Sequence, residues 1–129
     1  MNGVVFDSSV ILAAILGEPG GDEVFDRIED AIVSTVNVAE VYTYAAINSF
    51  PTEAIDAFFA DTGIAIEPFS HDQAVTAGGF AATTRKAGLS LGDRACLALG
   101  AAHSVDVLTA DHPWEAVADD LGIAITLLR

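Results

Sequence analysis

The sequence predicts an α/β domain built on a parallel sheet that helices cover on both faces. Two observations lead to this prediction. Short apolar runs with the character of strands alternate with stretches of helical spacing along the chain, a pattern typical of a parallel sheet with helices on both faces. In addition, 129 residues with 52% hydrophobic content are enough for one domain with a sizeable core.

The first half of the chain is predicted to hold three strands. Gly3 to Phe6 is a short apolar run that ends at Asp7, and it predicts a buried first strand. A short apolar helix follows, and the segment GEPGG ends it. The spacing of apolar residues then predicts, in order, a helix over 22–30, a strand over 31–35, helices over 37–48 and 51–60, and a strand over 64–67.

The second half is predicted to add two more strands. Ser70 with Gln73 three residues later is a capping-box signature, and it predicts a long helix that runs to about Ala87 and stops at Gly88. The remaining pattern predicts a helix over 91–103, a strand over 106–109, a helix over 113–121 and a strand over 123–127.

Composition restricts the function classes. The formal net charge is −14, with only five Lys and Arg residues, which opposes long-range attraction of RNA or DNA and suits a basic protein partner. The longest apolar stretch, 10–16, is too short for a bilayer, which takes roughly 20 residues. The start of the chain has no signal-peptide pattern, so we expect a cytoplasmic protein. The single Cys96 excludes an internal disulfide and predicts a buried small side chain.

Four acidic residues stand where a strand gives way to a helix or just inside that helix. They are Asp7, Glu40, Asp93 and Asp111. In open parallel sheets, sites form outside the carboxyl ends of the strands, at the point where the strand order reverses. If the first and fourth strands are neighbours there, all four carboxylates belong to one edge of the sheet.

Each of these acids also has a purely structural explanation. Asp7 and Asp111 are candidate helix N-caps. Glu40 would complete a capping box with Asn37, and Asp93 would complete one with Ser90. The joint pattern favours a site, because most of the other acids lie on evidently solvated helix faces, as Asp22 and its neighbours do.

A carboxylate cluster has a chemical reason to bind a cation. Neighbouring carboxylates repel, so without a cation some of them hold protons. Oxygen ligands of this kind suit hard divalent ions such as Mg²⁺ and Mn²⁺. Such an ion lowers the pKa of its water and neutralises charge developing on a phosphate. The sequence therefore points to a metal-dependent enzyme acting on phosphodiesters.

The residues around these acids resemble a known family. The segments FDSSVILAAILGEPG, NVAEVY, GLSLGDRACLALG and VLTADHPW, in this order and spacing, resemble the PIN-domain family, specifically VapC-like ribonuclease toxins of type II toxin–antitoxin systems. The resemblance covers essentially the whole chain, so residues 1–129 are expected to form a single PIN domain. It implies a three-layer α/β/α fold with a five-stranded parallel sheet in the order 3-2-1-4-5.

The resemblance also implies an activity and a set of site residues. The activity is Mg²⁺- or Mn²⁺-dependent RNA hydrolysis by a metal-activated water, leaving a 5′-phosphate and a 3′-hydroxyl. Asp7 and Asp93 are the expected principal metal ligands, and Glu40 and Asp111 are expected to complete the site or to hold metal-bound water. The expected substrate contacts are Ser8 and Thr109, beside the acids, and the cations Arg85, Lys86 and Arg94.

Family resemblance further implies partners. A VapB-like antitoxin with a basic, Arg-containing tail is expected to occupy the acidic crevice, where Arg forks match carboxylates. A homodimer and no membrane association are also expected. The alternative function is a catalytically weak PIN-like scaffold that keeps the acids and acts by binding a protein partner, and the net charge of −14 leaves it open.

Overall fold

The computed structural model describes residues 3–129. Five strands alternate with helices, as predicted. The strands are β1 (Val4–Phe6), β2 (Ala31–Ser34), β3 (Ala65–Glu67), β4 (Asp106–Thr109) and β5 (Ile125–Leu127). The helices are α1 (Ser8–Leu16), α2 (Gly21–Val24), α3 (Thr35–Ile47), α4 (Thr52–Thr62), α5 (His71–Gly79), α6 (Ala81–Thr84), α7 (Leu91–His103) and α8 (Ala118–Leu121), with 3₁₀ segments over Phe25–Asp30 and His112–Val117.

The strands form one parallel sheet in the order β3-β2-β1-β4-β5, which confirms the expected topology. Central strand β1 pairs with β2 on one side, with Val4 opposite Ala31, and with β4 on the other, with Phe6 opposite Leu108. The chain therefore leaves β1 toward one side of the sheet and later returns on the other. In open parallel sheets, binding sites form outside the carboxyl ends of the strands at such a reversal, which here lies between β1 and β4.

The two faces of the sheet bury separate cores. Val4 and Phe6 point into a core with side chains from α1, α3 and α4, whereas Val5 points into a second core with α7 and Trp114. Successive side chains of a strand point to opposite faces, and both faces of this sheet are covered, so all three β1 side chains are buried. Cys96 lies in the second core, fully buried as predicted, and this burial raises the pKa of its thiol.

The predicted long helix after Ser70 is wrong beyond its first half. Ser70 does cap α5, accepting a hydrogen bond from the Gln73 amide. The helix ends at Gly79, and a short α6 and a turn ending at Gly88 follow. Two consecutive glycines, 78 and 79, weaken the helix at this point, because glycine loses the most backbone freedom on becoming helical.

Two other predicted helices are each divided into a short α-helix and a 3₁₀ segment. The predicted helix over 22–30 is α2 followed by a 3₁₀ segment, and the one over 113–121 is a 3₁₀ segment followed by α8. Apolar spacing of three and four residues fits both kinds of helix, so the pattern did not distinguish them.

Close packing between α1 and α2 depends on Gly21. A Cβ at this position would lie 2.2 Å from the carbonyl oxygen of Ala13. The tight turn that follows α1 therefore needs a residue without a side chain.

Among the helices described over residues 3–129, none combines the length and the apolar character needed to cross a bilayer.

Candidate active site

The four acids of interest lie at the edge of the sheet where the central strands have their carboxyl ends. Asp7 directly follows β1, and Asp111 lies two residues beyond β4. Glu40 lies in the second turn of α3, the helix that follows β2, and Asp93 lies in the first turn of α7. The parallel sheet and its reversal point thus bring the starts of these segments to one edge.

Asp7 is the buried centre of this edge, with 3% of its surface exposed. It caps α1, accepting a hydrogen bond from the Ser9 amide at 3.4 Å, so the predicted N-cap is confirmed. Its Oδ2 also accepts from the Ser9 hydroxyl at 2.7 Å and from Thr109 Oγ1 at 3.0 Å. Burial raises the pKa of Asp7 to about 6, the charges of Asp93 and Glu40 add to this, and the two hydroxyls oppose it.

Glu40 is connected to Asp7 through a shared hydroxyl. Ser8 Oγ lies 3.1 Å from Glu40 Oε1 and 3.5 Å from Asp7 Oδ1. Asn37 Nδ2 donates a second hydrogen bond to Glu40 Oε1 at 2.8 Å. The predicted capping box between Asn37 and Glu40 is wrong, because α3 begins earlier and Ser34 is its cap. Both residues lie inside the helix and contact each other through their side chains.

Asp93 takes part in the predicted capping box with Ser90. The Ser90 hydroxyl accepts from the Asp93 amide at 3.2 Å, and the Ser90 amide donates to Asp93 Oδ2 at 2.9 Å. Burial raises the pKa of Asp93, and the charges of Glu40 and Asp111 add to the effect, while the hydrogen bonds from Ser90 oppose it. Asp93 therefore has a structural role and also shares the electrostatic field of the other acids.

Asp111 is exposed but held in place by a buried ring. The Trp114 indole nitrogen donates to Asp111 Oδ2 at 3.0 Å. The predicted cap role of this carboxylate is wrong in its detail, because the side chain accepts no capping hydrogen bond from the 3₁₀ segment it precedes. Its amide instead donates to Thr109 Oγ1 at 3.0 Å, the same hydroxyl that donates to Asp7. Thr109 thus connects the ends of β1 and β4.

The three basic residues expected near the site differ in their contacts. Arg85 and Lys86 are exposed on the turn between α6 and α7. Arg94 is partly buried, and its Nη1 donates to the Ala77 carbonyl at 2.9 Å, which joins α7 to α5. The guanidinium of Arg94 is therefore engaged in holding two helices together, whereas the other two cations are open to solvent.

The donor set suits a hard divalent ion held partly through water. Burial, with the neighbouring carboxylate charges adding to it, raises the pKa of Asp7 and of Asp93, and a cation among the four acids would relieve that repulsion. Within residues 3–129, no three acidic, histidine or cysteine side chains approach closely enough to coordinate one ion together. Mg²⁺ characteristically uses one or two direct carboxylates and keeps several waters, so this spacing fits a largely hydrated ion.

Three further residues shape the site although sequence patterns did not assign them to it. Ser9 donates a hydrogen bond to Asp7, and Trp114 donates one to Asp111. Asn37 donates one to Glu40. Ser9 also accepts from the Ala110 amide at 3.0 Å, so it ties α1 to the end of β4. A sequence signal existed for each, since all three lie within three residues of an acid of the site.

Comparison with known proteins identifies the family of the domain. The sequence model of the family described as PIN domain matches residues 4–120 of this chain. No curated protein sequence gives a significant match.

Several solved structures share the fold at low sequence identity. The DNA-bound VapBC structure from Salmonella typhimurium superposes with a TM-score of 0.78 at 16% identity, covering 100% of both chains. FitAcB from Neisseria gonorrhoeae gives a TM-score of 0.69 at 20% identity, covering 95% of both. VapC20 from Mycobacterium tuberculosis, described as a sarcin–ricin-loop-cleaving toxin, gives 0.65 at 14% identity, covering 81% of this chain and 87% of that one.

Proposed function

Because the chain belongs to the PIN-domain family, we propose that it is a Mg²⁺- or Mn²⁺-dependent endoribonuclease toxin that a VapB-like antitoxin neutralises. Residues 1–129 then form a single PIN domain. The observation that carries the proposal is the carboxylate pair Asp7 and Glu40, which share the Ser8 hydroxyl at the reversal point of the sheet. Asp7 is buried and Glu40 is half-buried, and negative charge on both carboxylates at once is costly unless a cation offsets it.

The proposed roles follow from which carboxylate oxygens the protein already uses. Ser9 and Thr109 both donate to Oδ2 of Asp7, so Oδ1 is the oxygen that faces Ser8 and the rest of the site. We assign Asp7 and Asp93 as the principal metal ligands and Glu40 and Asp111 as the acids that complete the site or hold its water. When bound, Mg²⁺ or Mn²⁺ would lower the pKa of a water and neutralise charge developing on the phosphate.

The other residues of the site orient these acids and the substrate. Thr109 and Ser8 donate to the carboxylates and hold them in position. Thr109 is 0% exposed, so it orients Asp7 rather than contacting substrate, whereas the half-buried Ser8 is the hydroxyl that is open to a phosphate oxygen. Arg85 and Lys86 are the stronger candidates for contacts to the RNA backbone, because Arg94 already donates to Ala77. Few cations on a chain of net charge −14 imply weak RNA binding that depends on the divalent ion.

A cleavage assay tests the nuclease proposal. Purified protein is incubated with a structured RNA in Mg²⁺, in Mn²⁺ and in EDTA, beside Asp7→Asn, Asp93→Asn and the control Asp22→Asn, an exposed acid of α2 outside the group of four. We expect ion-dependent cleavage by the wild type and the control, with 5′-phosphate and 3′-hydroxyl products. Cleavage that persists in EDTA and in both site variants would contradict the metal mechanism.

A catalytically weak scaffold is the alternative, and the net charge of −14 favours it. Such a chain would bind its basic partner and cut no RNA with any divalent ion. Growth arrest on expression, relieved by co-expression of the adjacent reading frame, would support the toxin. Isothermal titration with an Arg-containing antitoxin tail, which both functions require to bind the acidic crevice, tests the partner, and the cleavage assay separates the two functions. The proposed homodimer is tested by sedimentation.

A further inference from the structure

We propose that Gly92 and Asn37 are positioning residues that set the Glu40 carboxylate against the first turn of α7. The inference rests on the proposed role of Glu40 in the acidic site, and it names the residues on which that role depends. Neither residue is acidic, and neither would touch substrate or ion.

Gly92 leaves the space that the Glu40 carboxylate fills. A Cβ on Gly92 would lie 2.2 Å from Glu40 Oε2, 2.5 Å from its Cδ and 2.8 Å from Oε1. The carboxylate therefore lies directly on the Gly92 backbone, one residue before Asp93. No other residue type allows this approach, because even alanine would overlap with all three atoms.

The backbone gives no other reason for glycine here. Gly92 is not among the glycines with positive φ, such as Gly88 and Gly122, so its conformation is open to any residue. It also lies inside a helix, where alanine is intrinsically more favourable. The contact with Glu40 gives the reason for the absence of a side chain, since the three heavy atoms nearest to a Cβ here all belong to that carboxylate.

Asn37 holds the same carboxylate from the α3 side. It is 0% exposed, and its Nδ2 donates both to Glu40 Oε1 at 2.8 Å and to the Gly92 carbonyl at 3.0 Å. Its Oδ1 is buried and has no hydrogen-bond partner over residues 3–129. A buried acceptor without a partner destabilises the fold. The Asn37 amide is therefore oriented so that Nδ2 donates to the Glu40 carboxylate and the Gly92 carbonyl, although this leaves Oδ1 without a donor.

Together the two residues fix Glu40 in orientation as well as in position. Within residues 3–129, the hydrogen bonds to this carboxylate, from Asn37 and Ser8, both go to Oε1. Oε2 is left without a protein donor. Oε1 is therefore fixed between Asn37 and Ser8, and Oε2 lies against the Gly92 backbone, one residue before Asp93.

Gly92→Ala separates positioning from folding. The added methyl meets the far end of a flexible side chain, so Glu40 swings away while α7 keeps its structure. We expect Mn²⁺ affinity, measured by isothermal titration, and RNA cleavage to fall by roughly 10- to 100-fold, as is typical when residues that orient a ligand are lost. Gly78→Ala is the matched control, because its Cβ would meet nothing within 4 Å, and both measures should stay at wild-type values. The melting temperatures of both variants should not fall below that of the wild type.

A double-mutant cycle tests whether Gly92 acts through Glu40. If it does, Gly92→Ala should have no further effect on Mn²⁺ affinity once Glu40→Ala is present, and Asn37→Ala should behave in the same way. Additive losses in the double variants would overturn the inference, as would wild-type Mn²⁺ affinity in Gly92→Ala or a wild-type chain that binds no Mn²⁺.

The two proposals fail separately. Mn²⁺ binding needs no RNA, so a chain that shows the coupling but cuts no RNA under any condition overturns the nuclease function and leaves the positioning role intact. If the Gly92→Ala variant cuts RNA as efficiently as the wild type, the positioning role alone is overturned.

Discussion

Trp114 donates a hydrogen bond from its indole nitrogen to Oδ2 of Asp111 at 3.0 Å. The ring is fully buried, whereas the carboxylate it holds is exposed. An exposed carboxylate ordinarily samples several rotamers, and a fixed donor reduces that freedom. The second core of the protein thus extends to the acidic edge through one side chain, the only tryptophan of the chain.

Trp114→Phe should therefore weaken catalysis while keeping the fold. Phenylalanine keeps an aromatic ring but has no donor for Asp111, and a hydrogen bond to a charged group is worth about 1.5 kcal/mol at the low end. We expect kcat/KM for RNA to fall by about tenfold. Steady-state cleavage at saturating Mg²⁺ measures this change.

A smaller ring also costs stability, so the experiment needs a core variant for comparison. Ile55 is fully buried in the other core, among α1, α3 and α4. Ile55→Val should lower the free energy of unfolding by about 1 kcal/mol with little change in kcat/KM. Equal losses of activity in the two variants would mean that Trp114 acts through stability alone.

Ser90→Ala should affect both the fold and the site. It removes the hydroxyl that accepts from the Asp93 amide and loosens the reciprocal bond to the Asp93 carboxylate. Losing a helix cap costs about 1 kcal/mol, and Asp93 also loses a restraint in the site. Urea unfolding and RNA cleavage together should show both effects.

The matched control is Ser70→Ala, which removes the cap of α5. It should lower the free energy of unfolding by a similar amount, about 1 kcal/mol, and leave cleavage unchanged. A loss of activity as large as that of Ser90→Ala would contradict a separate role for the Ser90–Asp93 pair.

The strands and the acidic edge could be predicted because local patterns determine them. Short apolar runs mark β1 and β4; Asp7 follows β1 directly, and Asp111 lies two residues beyond β4. The end of α5 at Gly79 is not evident from the sequence, because the Ser70 cap marks only the start of the helix and the apolar periodicity after it is weak. Contacts such as Asn37 to the Gly92 carbonyl join residues 55 positions apart. Such pairs depend on how α3 and α7 pack, which spacing within either helix does not reveal.

Asp7 should make the ion-free protein less stable as the pH rises. Its pKa is about 6 in the folded chain against 3.8 for a solvated carboxyl. The folded state holds the proton more tightly, so this contribution to stability is complete below about pH 4 and is lost as the pH rises through about 6. The shift corresponds to about 3 kcal/mol at neutral pH.

Asp7→Asn should remove this pH dependence, because asparagine carries no proton to lose and still serves as an N-cap. In EDTA at pH 7.5 the variant should be more stable than the wild type, and at pH 4 the two should be similar. Mg²⁺ should raise the melting temperature of the wild type by mass action and leave the variant unchanged. A variant that is less stable than wild type at pH 7.5 would contradict the assigned cost of the buried charge.

Arg85 and Lys86 should govern RNA binding more than chemistry. Both are exposed and neither is among the hydrogen-bonded groups of the acidic edge, so the double substitution to alanine should leave the melting temperature and kcat near wild type. KM should rise several-fold, and the dependence of log KM on log salt should become shallower by roughly 1.4 if each contacts one phosphate of a single strand. Arg27→Ala is the control, because Arg27 is an equally exposed cation beside β5, lining a cavity with Leu127 and Leu128. An equal rise in KM in the control would mean that overall charge, rather than these two positions, limits how this acidic chain holds RNA.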